Sequence, residues 1–201
     1  MMGLLKLLSA LLLLSLLPTG LFQVVNKFSD VPQCEGFFLD LTPNIPDIFV
    51  AGDVQNTRYK PICQFFETME KKILVRTYTF ATLYDTDNKI PVFSAYTFTG
   101  TVTEGPTSTT WVTEPDLEDD EQAVNADYKG KKDILDKGHL FPCLFAPSAK
   151  AKTSTYILTN TVPQVSSFNR NEWKTMEGRI KNLEDDEELV ESHEVLLFCI
   201  I

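Results

Sequence analysis

The chain has 201 residues, a formal net charge of −10 and 43% hydrophobic residues. This charge argues against a protein that holds nucleic acid through a broad basic surface, so any contact with nucleic acid must be local. Its four cysteines lack Cys-x-x-Cys spacing, which argues against a structural zinc site.

The N-terminus predicts a secretory signal peptide over residues 1–22. Lys6 stands near the start, a leucine run extends to Leu17, and Pro18-Thr19-Gly20 follows. This is the basic, apolar and small-residue order of such signals. The apolar run is too short to favour a membrane span. We therefore expect a secreted protein without stable membrane association after cleavage, with residues 23–201 forming one domain. An uncleaved anchor is the alternative, since the segment lacks an Ala-x-Ala cleavage pattern.

The cysteines lie beyond the predicted signal and suit an oxidising compartment. Two disulfides are expected in any of three pairings of Cys34, Cys63, Cys143 and Cys199. A disulfide at Cys143 would brace the loop after His139, which lies four residues earlier.

The middle of the chain predicts a β-hairpin. Residues 73–84 and the run after Ile90 are rich in β-branched and aromatic types, and Asp85 to Lys89 supply turn residues between them. Residues 100–132 contain the acidic run 118–121 and predict a surface excursion. A local basic zone, or equally a solvated charged loop, is formed by Lys129, Lys131, Lys132, Lys137, Lys150 and Lys152.

A strand-strand-helix unit is predicted next. Ile134 to Leu140 would be the strand that carries His139, Tyr156 to Leu158 the returning strand, and Asn171 to Leu183 the helix. Val195 to Ile201 predicts a terminal strand without an identified partner. Trp173, Met176, Ile180 and Leu183 have the spacing of a buried helical stripe, and His193 predicts a solvated surface residue.

The sequence Asp136-Lys137-Gly138-His139 holds the residue types that phosphodiester cleavage needs. A histidine can take a proton from water near neutral pH. Magnesium accepts oxygen ligands and keeps several waters, so one amide such as Asn169 can anchor it. Gly138 permits close approach of a neighbour, and Lys137 can meet phosphate charge.

Together with Asn160, Gln164, Asn169, Trp173 and Glu177, this motif resembles the signature of the DNA/RNA non-specific endonucleases of the ββα-metal (His-Me finger) class. Within that class, residues 28–39, 80–85 and 90–96 resemble secreted endonuclease-domain proteins. The resemblance covers roughly residues 23 to 180. It implies an α+β fold with a mixed or antiparallel sheet and a ββα-metal motif, here C-terminally shortened.

The resemblance also implies roles for these residues and a substrate. His139 would be the general base, Asn169 the direct Mg²⁺ ligand, with Mn²⁺ as a substitute, and Glu177 would orient a metal-bound water. Lys137 would neutralise phosphate charge, and the supporting residues would be Asp136, Asn160 and Gln164. The substrates would be DNA and RNA. The alternative for Glu177 is a purely structural role, as an exposed helical carboxylate paired with Lys174 or Lys181.

Three departures favour a rival function, a catalytically weak or inactive nuclease-fold protein that binds a partner. Lys137 replaces the arginine of the motif, and a lysine cannot grip phosphate through a planar fork. A second arginine has no counterpart near Thr109, Thr110 and Trp111. The chain also stops soon after the metal-binding helix, whereas related proteins continue for several strands.

Overall fold

A five-stranded antiparallel sheet is the main layer of the computed structural model, which describes residues 22–39, 42–98, 102–131, 134–182 and 195–200. Its strands are β1 (Phe22–Val24), β4 (Tyr59–Glu70), β5 (Ile73–Asp85), β6 (Ile90–Phe98) and β9 (Val195–Ile200). They lie in the order β1-β4-β5-β6-β9. Two short strands, β2 (Phe49–Val50) and β3 (Asp53–Val54), form a separate small hairpin.

A second two-stranded sheet is formed by β7 (Leu135–His139) and β8 (Thr161–Val165). The helical segments are short: α1 (Pro32–Glu35), α2 (Ala149–Ser154), α3 (Ser166–Phe168) and α4 (Lys174–Asn182). A π-helical turn, Asn169–Trp173, joins the last two. The described part of the chain therefore has the predicted α+β class with antiparallel sheets and a strand-strand-helix unit.

Both faces of the main sheet are covered by hydrophobic clusters. Side chains alternate along β6, so successive residues of this strand face different clusters. Phe93 and Ala95 pack with Phe28 and Phe49 in one aromatic cluster formed with the N-terminal segment. Tyr96 and Phe98 face a second cluster that includes Phe80, Phe141, Phe145 and Ile157. Burial of each such ring contributes roughly 1.5–3 kcal/mol. The second cluster fixes the strand-strand-helix unit against the sheet.

The hairpin of β4 and β5 extends beyond this core. Its two turn residues, Lys71 and Lys72, have positive φ angles of 49° and 70°. Beside the turn, the side chains of Met69 and Ile73 are each 66% exposed. The tip therefore carries apolar side chains that no described part of the protein covers.

The structure confirms the predicted hairpin of β5 and β6, with Asp85 paired to Ile90. The terminal strand is also confirmed as β9, and its partner is β6. No helix among the described residues is long and apolar enough to cross a membrane.

Two predicted boundaries are wrong. The returning strand is β8 rather than Tyr156 to Leu158, because Leu158–Asn160 forms a 3-10 turn and pairing with β7 begins only at Thr161. The helical region starts at Ser166 rather than Asn171, so Asn169 lies within it. The predicted surface excursion 100–132 is partly wrong as well, since Glu114, Leu117 and Gln122 are buried.

Candidate active site

Strand β7 carries the Asp136-Lys137-Gly138-His139 sequence, with Asp136 opposite Gln164 and His139 opposite Thr161. The Gln164 side chain crosses over Gly138. A Cβ atom at position 138 would lie 2.5 Å from Gln164 Oε1 and 2.9 Å from Gln164 Cβ. These distances are too short for a real contact, so glycine is required here by the neighbouring strand.

The imidazole of His139 is enclosed by two aromatic rings. Ring centroids lie 4.7 Å away for Trp111 and 4.9 Å away for Tyr156, which meets the imidazole edge-on at 88°. His139 keeps part of its surface exposed, whereas its Nε2 atom is buried and has no hydrogen-bond partner. Burial lowers the pKa of His139 from 6.5 to about 4. The ring is therefore neutral at pH 7 and able to accept a proton.

Lys137, two residues before His139, is held by three side chains. Its Nζ donates a hydrogen bond of 2.6 Å to Asn125 Oδ1. The same nitrogen lies 5.4 Å from the ring centroid of Trp111 and 5.3 Å from that of Tyr128. Burial lowers the pKa of Lys137 below its ordinary value.

Asp136 joins β7 to the helical region. Its carboxylate accepts hydrogen bonds from Ser166 Oγ at 3.0 Å, from Asn169 Nδ2 at 3.1 Å and from two nitrogens of Arg170. The Arg170 hydrogen bond holds the pKa of Asp136 below its ordinary value, although burial opposes it. Because Asn169 donates through its amide nitrogen, its carbonyl oxygen is directed away from Asp136.

Glu177 lies on α4, eight residues after Asn169. Burial raises the pKa of its carboxyl to about 6, and the Trp173 indole N–H, which is close but outside hydrogen-bonding geometry, partly offsets this. Burial raises the pKa of the Cys143 thiol, and the charge of Glu177 raises it further. Glu177 thus acts electrostatically on the loop that follows His139.

Asn160 is fully buried behind this site. Its Oδ1 accepts from the Phe141 backbone N–H at 2.9 Å and from Ser94 Oγ at 3.2 Å. Its Nδ2 donates to the carbonyl oxygens of Phe141 at 3.1 Å and Thr155 at 3.2 Å. These four bonds tie the segment before β8 to the segment after His139, and leaving any of them unmade in the interior would cost about 1–3 kcal/mol.

This part of the chain is also similar in sequence to known proteins. The profile of the DNA/RNA non-specific endonuclease family matches residues 64–195, which contain the whole site. The chain belongs to this family. The resemblance predicted from the motif is therefore confirmed.

This family member is 29% identical over 158 residues to the human "Endonuclease domain-containing 1 protein". The match covers 68% of this chain and 28% of the human protein, so the chain spans little more than a quarter of that relative's length. A solved structure of the EndoG/EndoGI complex aligns at 20% identity with a TM-score of 0.48, covering 60% of this chain and 48% of that one.

Two features of this family member differ from the sequence predictions. Cys34 and Cys63 form a disulfide, which is one of the pairings left open, but Cys143 carries a free thiol. The predicted disulfide at Cys143 is therefore wrong. Lys152 belongs to the predicted basic zone or charged loop, yet it is only 6% exposed, and its Nζ donates to the carbonyl oxygens of Val102 and Glu104.

Several residues of the site were not predicted from the sequence. Trp111, Asn125 and Tyr128 surround Lys137, and Arg170 binds Asp136. The aromatic residues of an irregular loop give no periodic signal. The only sequence signal for any of these residues was that Arg170 directly follows Asn169, which placed it close to the predicted metal ligand. The predicted buried helical stripe is only partly right: Trp173, Met176 and Ile180 are half-buried, and Ile180 packs on the second cluster. Leu183 of this stripe, and His193, which the sequence predicts as a solvated surface residue, lie outside the described residues.

Proposed function

We propose that this chain is a secreted, metal-dependent endonuclease that hydrolyses phosphodiester bonds of DNA and RNA without sequence specificity. The observation that supports it most is the hydrogen bond between Asp136 and Asn169. It joins the strand that carries His139 to the helix that carries the expected metal ligand. Family membership supports the same class of activity.

The donor set is suited to Mg²⁺. Asn169 offers a carbonyl oxygen, which is a hard ligand, and Asp136 fixes the orientation of its amide. The described residues contain no group of three or more His, Cys, Asp and Glu side chains that could enclose a metal. A cation held by one protein oxygen and several waters fits this site, and Mn²⁺ is expected to substitute. When bound, the ion would stabilise charge on the departing 3′ oxygen.

The side chains around this position have complementary tasks. His139 accepts the proton of the attacking water, because its burial keeps the ring neutral. An arriving phosphate anion raises the pKa of His139 by charge attraction and so improves it as a base. Lys137 neutralises phosphate charge, and the Glu177 carboxylate orients water. Asn160 and Gln164 hold the local frame. Products should carry 5′ phosphates.

The test is a nuclease assay on protein secreted through an oxidising route. Supercoiled plasmid and total RNA are incubated with Mg²⁺ or with chelator. His139→Ala and Asn169→Ala should each reduce cutting at least about 100-fold, the range typical of lost acid-base or metal catalysis. Asn171→Ala is a matched control, since Asn171 lies on the same helical region and, among the described residues, its side chain bonds only the Ser167 carbonyl oxygen. Products bearing 5′ hydroxyls would contradict the assignment.

A binding protein without turnover is the second candidate. The pairing of Arg170 with Asp136 favours it, because this guanidinium is already neutralised by a carboxylate and is poorly placed to serve a phosphate. Calorimetric titration with Mg²⁺ separates the two candidates. An intact site binds the metal and loses it in Asn169→Ala, whereas a degenerate site gives the same trace for both proteins.

Secretion is proposed from the predicted signal over residues 1–22, most of which lies outside the described residues. Phe22 pairs with Gln64 in the main sheet. This pairing favours cleavage before Phe22, one residue earlier than the sequence boundary. N-terminal sequencing of the secreted protein tests this, and a mature chain that starts after Val24 would reject it.

A further inference from the structure

Three side chains surround the ammonium group of Lys137, the residue that stands where the family motif has arginine. We propose that Trp111, Asn125 and Tyr128 form a cage that fixes this ammonium beside His139, so that Lys137 presents a pre-organised charge to a substrate phosphate. The inference rests on the proposed nuclease function and adds positioning residues to it. The three cage residues come from the loop between β6 and β7, which the motif does not include.

The cage holds the ammonium without using up its hydrogen-bonding capacity. An ammonium has three N–H donors, and Asn125 Oδ1 accepts one of them at 2.6 Å. The rings of Trp111 and Tyr128 attract the cation electrostatically, with Nζ 5.4 Å and 5.3 Å from their centroids. Two donors therefore remain for phosphate oxygens, and the flexible stem no longer has to be ordered when substrate binds.

Trp111 also sets the position of the cation relative to the base. Its ring contacts both His139 and Lys137. Its carbonyl oxygen accepts a 3.0 Å hydrogen bond from Asn125 Nδ2, so Asn125 binds Trp111 and Lys137 at once. The next residue, Val112, is anchored by its N–H to the carbonyl oxygen of Tyr156 at 3.0 Å. The cage is thus attached to the segment that packs on His139.

The first test observes the cage directly, in protein without metal or substrate. Lysine labelled with ¹³C at Cε is incorporated, and the Lys137 signal is identified by its loss in Lys137→Arg. Ring currents from two aromatic neighbours should place its ε-protons upfield of those of the exposed Lys71. The signal should move toward the Lys71 position in Trp111→Leu and in Tyr128→Leu, and less in Trp111→Phe. A wild-type signal that overlaps Lys71 would overturn the cage.

The second test is a double-mutant cycle on kcat/KM. Tyr128→Leu should lower kcat/KM by roughly 3- to 30-fold, the cation–π range expressed as a rate ratio, and Asn125→Ala should lower it by roughly 3- to 10-fold through loss of its hydrogen bond to the ammonium. In a Lys137→Gln background the same substitutions should have little further effect, because their benefit acts through Lys137. Equal losses in both backgrounds would overturn the proposal. Lys71→Gln, on the exposed hairpin turn, is the matched control for removing a lysine charge.

These tests separate the cage from the nuclease function. An upfield Lys137 signal in a protein that cuts neither DNA nor RNA would support the cage and reject the activity. A signal overlapping Lys71 in an active enzyme would reject the cage and leave the activity intact. Lys137→Arg should not raise kcat/KM, since a guanidinium is larger and planar and would not occupy the position that Asn125, Trp111 and Tyr128 set for the compact ammonium; a gain in this variant would count against the cage.

Discussion

The depressed pKa of His139 makes the stability of this protein depend on pH in a defined direction. Its pKa is about 4 in the folded protein, against 6.5 for an unperturbed histidine. This difference corresponds to at most about 3.4 kcal/mol. Allowing for the partial solvent contact of the ring reduces it to about 2 kcal/mol. Between these pKa values the unfolded chain binds more protons than the folded protein, so the stabilisation is complete above pH 6.5 and is lost as pH falls.

Urea unfolding at pH 7.0 and pH 4.5 measures this contribution. Glu114 and Glu177 have raised pKa values of about 8 and about 6 and shift stability in the opposite direction over parts of this range. The informative quantity is therefore the difference between wild type and His139→Gln. Because pH 4.5 is still above the folded pKa, about 70% of this contribution is lost there, so wild type should lose about 1.4 kcal/mol more than His139→Gln between the two pH values.

NMR gives an independent measurement, because the chain contains only two histidines. One imidazole Cε1–H resonance disappears in His139→Gln and is thereby assigned. It should titrate near pH 4 in the folded protein. A midpoint near 6.5, together with parallel pH dependences of unfolding, would show that the Trp111 and Tyr156 rings do not shield this histidine and would refute the reasoning.

Three further outcomes are expected. The acid limb of the kcat/KM profile should lie near pH 6, set by the Glu177 carboxyl, and should move to lower pH in Glu177→Gln, as pH-rate measurements would show. The Cys34 disulfide closes a 29-residue separation, so Cys34→Ser should cost about 3.6 kcal/mol in urea unfolding, whereas Cys143→Ser, the matched free cysteine, should cost under about 1 kcal/mol. Gly138→Ala should destabilise by about 1–3 kcal/mol through overpacking. Gln164→Gly should restore more of this loss than Gln164→Ala, which keeps the Cβ atom 2.9 Å away; equal restoration would contradict the contact.

The sequence predicted those elements whose residues have an intrinsic preference for the secondary structure that they adopt. The hairpin of β5 and β6 has β-branched strands and a polar turn, and the strand carrying His139 was placed within one residue of its bounds. The returning strand was misplaced because β8 contains Pro163. Proline is unfavourable in a paired strand, but β8 lies in a two-stranded sheet where one side of each strand needs no partner.

The sequence predicted which residues belong to the candidate site, but not which of them contact each other. Asp136 and Asn169 were both assigned to it, but their hydrogen bond depends on the helix beginning at Ser166, which no capping residue signalled. The aromatic neighbours of His139 and Lys137 come from a loop whose path is determined by tertiary packing. Such contacts between distant segments leave no periodic pattern in the sequence.

The turn at the tip of the β4–β5 hairpin offers a practical route to a more tractable protein. Both of its lysines adopt the left-handed conformation that asparagine and glycine enter with less strain. The twist of the long hairpin, rather than local preference, therefore imposes this turn. Replacing Lys71-Lys72 with Asn-Gly and the adjacent Met69 and Ile73 with threonine would remove strain and apolar surface together. Such a variant should concentrate and crystallise more readily, while every residue of the candidate site stays as it is.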